Sequence, residues 1–265
     1  MSYRYSIFTK PFKNFTMDEL GAKIRSLGFN AIEFPLRDGY QVEPKDAERR
    51  LPVLANTLKK YGIAISSVAS GTDEHIFAAL QSIGCSILRI MAPSDGEKKG
   101  RAYFAWQAEF IKYLEKLEPL ARKYNVTLGV QNHFGGMCSA TMELKCAVDK
   151  FDPKYVAAIW DCAHAGLAGE NMEQALDIIW DHMCLVNFKN AYNTRINGPE
   201  APVAKFKPYF TLGRHGAADY TEIARYLKAR EYKGDICLPA EYTDEPLVEA
   251  LAPIELAFVK SLMED

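Results

Sequence analysis

Four segments of the chain place polar side chains directly after an apolar run of the length expected for a buried strand. The run at 156–160 ends in Asp161, and His164 follows three residues later. A carboxylate where a buried strand ends must find a cation, a hydrogen-bond donor or a proton. Three further runs end in the same way, with Gln131-Asn132-His133, with Asn187-Phe188-Lys189 and with Glu241. These residue types can bind a metal ion or transfer protons, so the pattern predicts one site built from strand ends.

The elements that must position these side chains alternate along the whole chain. Each predicted strand is followed by a helical pattern, such as the one opened by the capping-box sequence Thr16-Met-Asp-Glu19. Alternation of this kind implies parallel strands joined by helical crossovers. A long connection containing Pro199, Pro202 and Pro208 precedes the seventh of these helices. The strands are predicted at 3–9, 29–36, 63–70, 85–91, 126–133, 156–161, 184–189 and 235–241.

Eight strand–helix pairs in a chain of 265 residues match the size and count of a closed (β/α)8 barrel. We therefore predict an α/β fold, a single TIM-barrel domain over residues 1–265. A doubly wound open sheet is the alternative, but no Gly-x-Gly-x-x-Gly follows the first strand. Active sites of such barrels lie at the carboxyl ends of the strands. All four polar strand ends fall on that face.

Composition narrows the class of partner and the compartment. The net charge of −2 gives no electrostatic reason to expect binding to nucleic acid or to a membrane surface. Six cysteines are scattered without a Cys-x-x-Cys pair, and no signal-peptide or membrane-spanning pattern is evident. We expect a cytoplasmic protein that acts on a small molecule, and a homo-oligomer is compatible with such a barrel.

Several motifs together resemble one family. Asp161-x-x-His164 matches a motif that follows its sixth strand, and Gly213-Arg-His-Gly216-Ala-Ala-Asp219-Tyr220 is similar to a segment before its seventh helix. Gly28-Phe-Asn-Ala-Ile-Glu33 is similar to its second strand entry, and the stretch from Glu231 through Gly234 to Glu241 is similar to its approach to the last strand. The family is the sugar phosphate isomerase/epimerase group with the xylose-isomerase-like barrel. The resemblance implies isomerisation or epimerisation of a carbohydrate-like substrate.

The resemblance also implies a divalent metal held by four side chains: Glu, Asp, His and Glu in the family. The corresponding residues here are Gln131, Asp161, Asn187 and Glu241, so two of the four match. Two carboxylates and two amide oxygens suit a hard cation such as Mg²⁺ or Mn²⁺. In the metal-free alternative, Lys189 neutralises Asp161 or Glu241 directly, and Arg89 or Arg195 could do likewise.

Gln131 stands where the family has a glutamate, and this replacement restricts the acid–base chemistry, because an amide cannot serve as a general base. Glu241 remains as a catalytic candidate, with His133, His164 or Lys189 as its partner. One base with an electrophile can abstract a proton next to a carbonyl. This fits isomerisation or dehydration as well as two-base epimerisation. The residues expected to contact the substrate are His133, His164, Arg89, Arg195, His215 and Glu33.

Three other functions are alternatives to an isomerase or epimerase. A sugar dehydratase or other lyase would use the same scaffold and the same first step. A non-catalytic carbohydrate-binding protein would explain why Gln131 and Asn187 replace the usual ligands. A related DNA-repair endonuclease shares the Asp-x-x-His motif, but its multi-zinc site needs many histidines, and this chain has five.

Overall fold

The barrel predicted from the alternating pattern is present in a computed structural model that describes residues 3–94, 96 and 100–264. Eight parallel strands close into a ring in the order in which they occur along the chain, and the last of them pairs with the first. The ring is therefore a (β/α)8 barrel. Its strands are β1 (Tyr5–Phe8), β2 (Ala31–Pro35), β3 (Ala64–Ala69), β4 (Ile87–Met91), β5 (Thr127–Gln131), β6 (Val156–Asp161), β7 (Met183–Asn187) and β10 (Asp235–Leu238).

Helices cover the outside of this ring. The first shows the predicted capping box, because Thr16 accepts the N–H of Glu19 while the Glu19 carboxylate accepts the N–H of Thr16. No helix in the described part of the chain is both long and apolar enough to cross a membrane. The helices are α1 (Met17–Ser26), α2 (Ala47–Lys59), α3 (Glu74–Ser82), α4 (Tyr103–Tyr124), α5 (Thr141–Val148), α6 (Cys162–Leu167), α7 (Met172–Ile179), α8 (Tyr220–Ala229) and α9 (Val248–Met263).

Two apolar clusters hold the layers together. The larger one lies between the strands and the helices, and the smaller one joins side chains from six strands inside the ring. Gly129 leaves room for this inner cluster, since a Cβ there would lie 2.6 Å from Cδ1 of Ile159. The barrel interior is thus packed below the strand ends, as such barrels require. The inner cluster comprises Phe8, Ala69, Ile87, Ile159, Leu185 and Cys237.

The structure differs from the sequence prediction after β6 and β7. The short helix α6 begins directly after Asp161, where no helix was expected. The proline-containing connection is not simply a loop, because β8 (Asn190–Arg195) and β9 (Phe206–Thr211) form an antiparallel hairpin. Pro208 is tolerated in β9 because both strands of a two-stranded sheet are edge strands. The hairpin carries Phe210 to the carboxyl end of the barrel.

Three strands also end two or three residues earlier than predicted, and the first of them is β5, which ends at Gln131. β7 stops at Asn187 and β10 stops at Leu238, so Lys189 and Glu241 both belong to the connections beyond the sheet. Ala240, next to Glu241, adopts a left-handed backbone with φ of 53°. Both charged side chains are therefore placed by loop backbone, and their contacts are decided by neighbouring loops.

Candidate active site

Asp161, the last residue of β6, is the centre of a buried hydrogen-bond cluster. Its Oδ1 accepts the backbone N–H groups of Ala163 and His164 at 3.1 and 3.4 Å, which caps α6. Its Oδ2 accepts the side-chain amides of Gln131 at 2.8 Å and Asn187 at 3.2 Å. A carboxylate offers about four lone-pair directions, so these four donors satisfy Asp161.

A buried arginine fixes the orientation of Gln131. The guanidinium of Arg89 donates through Nε to Glu33 Oε1 at 2.8 Å and through Nη1 to Gln131 Oε1. Arginine has donors only, so Gln131 must turn its oxygen to Arg89 and its NH2 group to Asp161. Burial raises the pKa of Glu33, and the charge of Arg89 opposes that rise. These four side chains form one connected chain of hydrogen bonds from β2 to β6.

Glu241, in the loop after β10, is held by two ammonium groups. Nζ of Lys10 lies 2.7 Å from Oε1, and Nζ of Lys189 lies 2.9 Å from Oε2. Lys10 follows β1 and Lys189 follows β7, and these two strands flank β10 in the ring. Burial alone would raise the pKa of Glu241, but the charges of Lys189 and Lys10 outweigh it and hold that pKa well below its ordinary value. Glu241 is therefore ionised at neutral pH and is a weak base.

The rings of His133 and His164 lie in contact beside these groups, with centroids 4.2 Å apart and planes tilted by 38°. Nδ1 of His133 lies 3.0 Å from the carbonyl oxygen of Phe134, so it carries the hydrogen and Nε2 keeps a lone pair. Burial and the charge of Lys189 lower the pKa of His133. His133 is therefore a neutral imidazole whose acceptor nitrogen has no hydrogen-bond partner among the described residues.

His164 is buried, and neither of its ring nitrogens has a hydrogen-bond partner among the described residues. Its Nε2 lies 3.9 Å from Oδ2 of Asp161, which is too long for a hydrogen bond. Burial lowers the pKa of His164 to about 3. Because buried polar groups are almost always hydrogen-bonded, a neutral imidazole without partners that faces a cleft indicates a place for a polar group of a ligand.

A cleft of about 850 Å³ opens over these residues. That volume is in the range of small-molecule sites. Lys189 is buried, and its ammonium lies 4.3 Å from the centroid of the Phe210 ring, which forms one wall. Charged groups at the base of the cleft and aromatic rings along its sides suit a substrate that carries polar groups on a carbon skeleton. The polar groups of the cleft come from Lys10, His133, His164, Lys189 and Glu241, and its aromatic walls from Tyr40, Phe134, Phe210 and Tyr242.

Four of the residues predicted to contact the substrate are not among those that line this cleft. Glu33 and Arg89 are buried below it and bond to each other. Arg195 ends β8, where its guanidinium contacts Asn197 and Gly198. His215 is exposed in the turn after β9. Arg195 lies at the end of β8 that is farthest from the barrel. It therefore does not reach the cleft, although it follows Lys189 closely in the sequence.

Three of the four predicted metal ligands end strands and Glu241 lies in the loop after β10, but their donor atoms do not fit a divalent cation. All lone pairs of Asp161 are occupied, the oxygen of Gln131 accepts from Arg89, and each oxygen of Glu241 faces an ammonium group. Among these four side chains, Asn187 Oδ1 alone is buried without a partner in the described structure. Residues 3–94, 96 and 100–264 also contain no group of three His, Cys, Asp or Glu side chains suited to a metal.

Two contributors to the site were missed in the sequence. Lys10 pairs with Glu241, and its signal was a lysine directly after the first strand, in series with the other polar strand ends. Asn132 is the second contributor. It exchanges two hydrogen bonds with the backbone of Asp161, at 2.7 and 3.0 Å, and so fixes the end of β6.

Comparisons with known proteins agree with this architecture. The family model described as a xylose isomerase-like TIM barrel matches residues 22–262. An inosose dehydratase of Bacillus velezensis is 28% identical over 151 residues, a match covering 55% of this chain and 49% of that protein. The chain thus spans about half the length of the curated relative it matches.

Solved structures extend the likeness to the whole fold. The apo form of a 3-keto-D-glucoside 4-epimerase, YcjR, from E. coli superposes with a TM-score of 0.74 at 16% identity, covering 98% of this chain and 100% of that chain. The IolI protein with a bound zinc atom superposes with a TM-score of 0.76 at 11% identity, covering 98% of each chain. Identities this low show a shared fold, and the zinc is a property of that protein.

Proposed function

The chain belongs to the xylose isomerase-like TIM-barrel family, and on this premise we propose that it is an isomerase or epimerase of a keto sugar or keto-polyol. The proposal is that the reaction begins by removal of a proton from the carbon next to the carbonyl. One observation carries it: a neutral histidine pair and an ammonium–carboxylate pair face the same small cleft. The first supplies acid–base groups, and the second supplies positive charge for a developing oxyanion.

Each group has a role that follows from its surroundings. Nε2 of His133 has the free lone pair and is the candidate base. Lys189 lies in the cleft with ammonium hydrogens to spare, so it can hold the carbonyl oxygen as negative charge develops. His164 can hydrogen-bond a neighbouring hydroxyl through its unpartnered nitrogens. Glu241 positions both lysines and, with its low pKa, is disfavoured as the base.

The second candidate is dehydration, which shares the first step. After proton removal, the electron pair forms a carbon–carbon double bond, and the hydroxyl on the next carbon leaves as water with a proton from the site. The sequence likeness to an inosose dehydratase favours this candidate. In the first candidate, the proton instead returns to the same carbon from the other side or to the neighbouring carbon.

Proton NMR in D2O on a panel of ketohexoses and keto-inositols tests both candidates. Deuterium at the carbon next to the carbonyl reports the shared step, a new sugar signal reports isomerisation, and an alkene or diketone signal reports loss of water. We expect His133→Ala to slow exchange by about 100-fold or more. His75→Ala, a histidine outside the cleft that contacts Pro44, is the matched control. Saturable binding without exchange for every substrate would instead indicate a non-catalytic binding protein.

A further inference from the structure

We propose that the paired ammonium groups of Lys10 and Lys189 take the place of a divalent cation in this cleft, so that the site binds no metal and the reaction needs none. The catalytic part of this inference rests on the proposed function, whereas the binding part does not. It is carried by the positions of the donor atoms and by the charge balance of the cluster.

A metal site needs donor atoms with free lone pairs directed at one point, and the side chains of this cleft do not supply them. Asp161 has no free lone pair for a metal, since its four acceptor positions are filled by neutral N–H groups. Gln131 cannot rotate its oxygen toward the cleft without turning its NH2 group onto the guanidinium of Arg89. Glu241 meets a lysine at each oxygen. A cation would have to displace at least one ammonium group to reach it.

Charge balance points the same way. Two separate groups of bonded side chains, one around Asp161 and one around Glu241, together carry three carboxylates, Glu33, Asp161 and Glu241, and three cationic groups. The cationic groups are those of Arg89, Lys189 and Lys10, so the two groups of side chains taken together are formally neutral as they stand. A divalent ion would leave an excess of two positive charges in a largely buried region, where like charges repel strongly.

The ammonium of Lys189 can stabilise negative charge on a carbonyl oxygen, which is the role expected of a metal ion. It has three N–H donors. One is used on Glu241, and the Phe210 ring lies 4.3 Å away on another side, so donor capacity remains for a substrate oxygen. In the proposed step the C–H bond breaks and its proton moves to Nε2 of His133. The electron pair of that bond forms a carbon–carbon double bond, and the π pair of the carbonyl moves onto its oxygen, which Lys189 holds by a hydrogen bond. No oxidant or other co-reactant is required.

The binding test uses the full chain and Mn²⁺ alone as the probe. Free Mn²⁺ is measured by electron paramagnetic resonance, and heats are measured by calorimetry. We expect no stoichiometric binding to the wild-type protein. The double variant Lys10→Met, Lys189→Met leaves Glu241 unpaired and should bind Mn²⁺ about tenfold more tightly than wild type. Lys23→Met breaks an exposed ion pair with Glu249 and is the control for loss of charge, with Mn²⁺ binding no tighter than wild type.

One tightly bound Mn²⁺ per wild-type chain would overturn the inference, and this measurement depends on no variant. Equal Mn²⁺ affinity of the folded double variant and wild type would also overturn it, because the lysines would then not be what excludes the ion. Thermal unfolding checks that the variants are folded. If the double variant does not fold, Lys189→Gln alone replaces it, with the same expected direction.

Turnover separates this inference from the proposed function. Deuterium exchange into an identified substrate should persist in EDTA and should not rise with added Mn²⁺. Exchange that is lost in EDTA and restored by Mn²⁺ would overturn the inference and leave the proposed function standing. If no substrate on the panel exchanges, the proposed function fails, and the Mn²⁺ titration still decides whether the lysines exclude a cation.

Discussion

Two carboxylates stand at the carboxyl end of the same barrel and are stabilised in opposite ways. Asp161 is fully buried and accepts hydrogen bonds from uncharged donors, two from the backbone and two from side-chain amides. Glu241 keeps 27% of its side chain exposed and accepts from two ammonium groups. The four neutral donors leave Asp161 no lone pair with which to accept a further hydrogen bond. The ammonium groups around Glu241 still have N–H bonds to offer to the cleft.

The difference distinguishes a group of side chains that holds strand ends in place from the region proposed to carry out the reaction. The cluster around Asp161 joins β4, β5, β6 and β7 and caps α6, so it sets the positions of the strand ends. The cluster around Glu241 joins the loops after β1, β7 and β10, next to the histidine pair. We therefore expect changes at Asp161 to act mainly on stability and changes at the lysines to act mainly on turnover.

The largest expected effect is the loss of stability in Asp161→Ala. It would leave two buried side-chain amides without an acceptor, remove the cap of α6 and leave the charge of Arg89 less well balanced. We expect the free energy of unfolding to fall by about 3–5 kcal/mol, measured by urea denaturation. Glu249→Ala, at an exposed ion pair, is the control and should change it by less than about 1 kcal/mol. Similar losses for the two variants would contradict the role of Asp161 in holding strand ends in place.

The buried carboxylate of Glu255 sharpens the comparison, because no ammonium group among the described residues pairs with it. Both of its oxygens accept the N–H of Gly213, at 3.0 and 2.9 Å. Burial raises the pKa of Glu255 to about 7, and the Gly213 hydrogen bond only partly offsets it. A raised folded-state pKa means that the folded chain binds the proton more tightly than the unfolded chain, whose pKa is about 4.5. Stability from Glu255 is therefore present below pH 4.5 and is lost as the pH rises to about 7.

The measurement is the unfolding free energy at several pH values between 4.5 and 8, with Glu255→Gln as the matched variant. The amide oxygen of Gln can keep the Gly213 bond without titrating. We expect the wild type to lose on the order of 3 kcal/mol relative to the variant across this window. A constant difference between the two proteins would show that Glu255 does not titrate there.

Lys189→Met tests the reactive side of the comparison. Removing the ammonium takes away the donor proposed for the carbonyl oxygen, so substrate turnover should fall by about 100-fold. Lys10→Met should reduce turnover less, about tenfold, because Lys10 is half exposed and Lys189 is buried. Steady-state kinetics and thermal unfolding are measured together. A large loss of stability in Lys189→Met with unchanged turnover of the folded fraction would reverse the roles assigned to the two clusters.

The smallest expected effect is that of Gln131→Glu, which converts one neutral donor of Asp161 into a second carboxylate. The Asp161 Oδ2 loses a hydrogen bond, while the new charge is partly compensated by Arg89. We expect a loss of about 2 kcal/mol in the unfolding free energy. Gln174→Glu, on the exposed surface of α7, is the control and should be near neutral. An increase in stability would mean that Asp161 is less saturated than its contacts indicate.

Much of the architecture followed from local patterns. Apolar runs of strand length alternated with helical periodicity, and this pattern is read within windows of about a dozen residues. The barrel was therefore predictable, as were the polar strand ends at Gln131, Asp161 and Asn187. The hairpin of β8 and β9 was not, because its prolines indicated a loop and its pairing joins residues such as Arg195 and Phe206 that have no shared local signal.

The sequence by itself determined which side chains stand at the ends of the strands, because alternation along a strand and strand order along the chain are local properties. Only the tertiary structure decided which carboxylate receives amides and which receives lysines. Closure of the barrel brings β1 beside β10, so that Lys10 meets Glu241 across 231 positions of sequence. The position of β7 on the other side of β10 adds Lys189. Hydrogen bonds reach only about 3 Å, so partners this far apart in sequence are chosen by the packing of strands and loops and not by the local pattern.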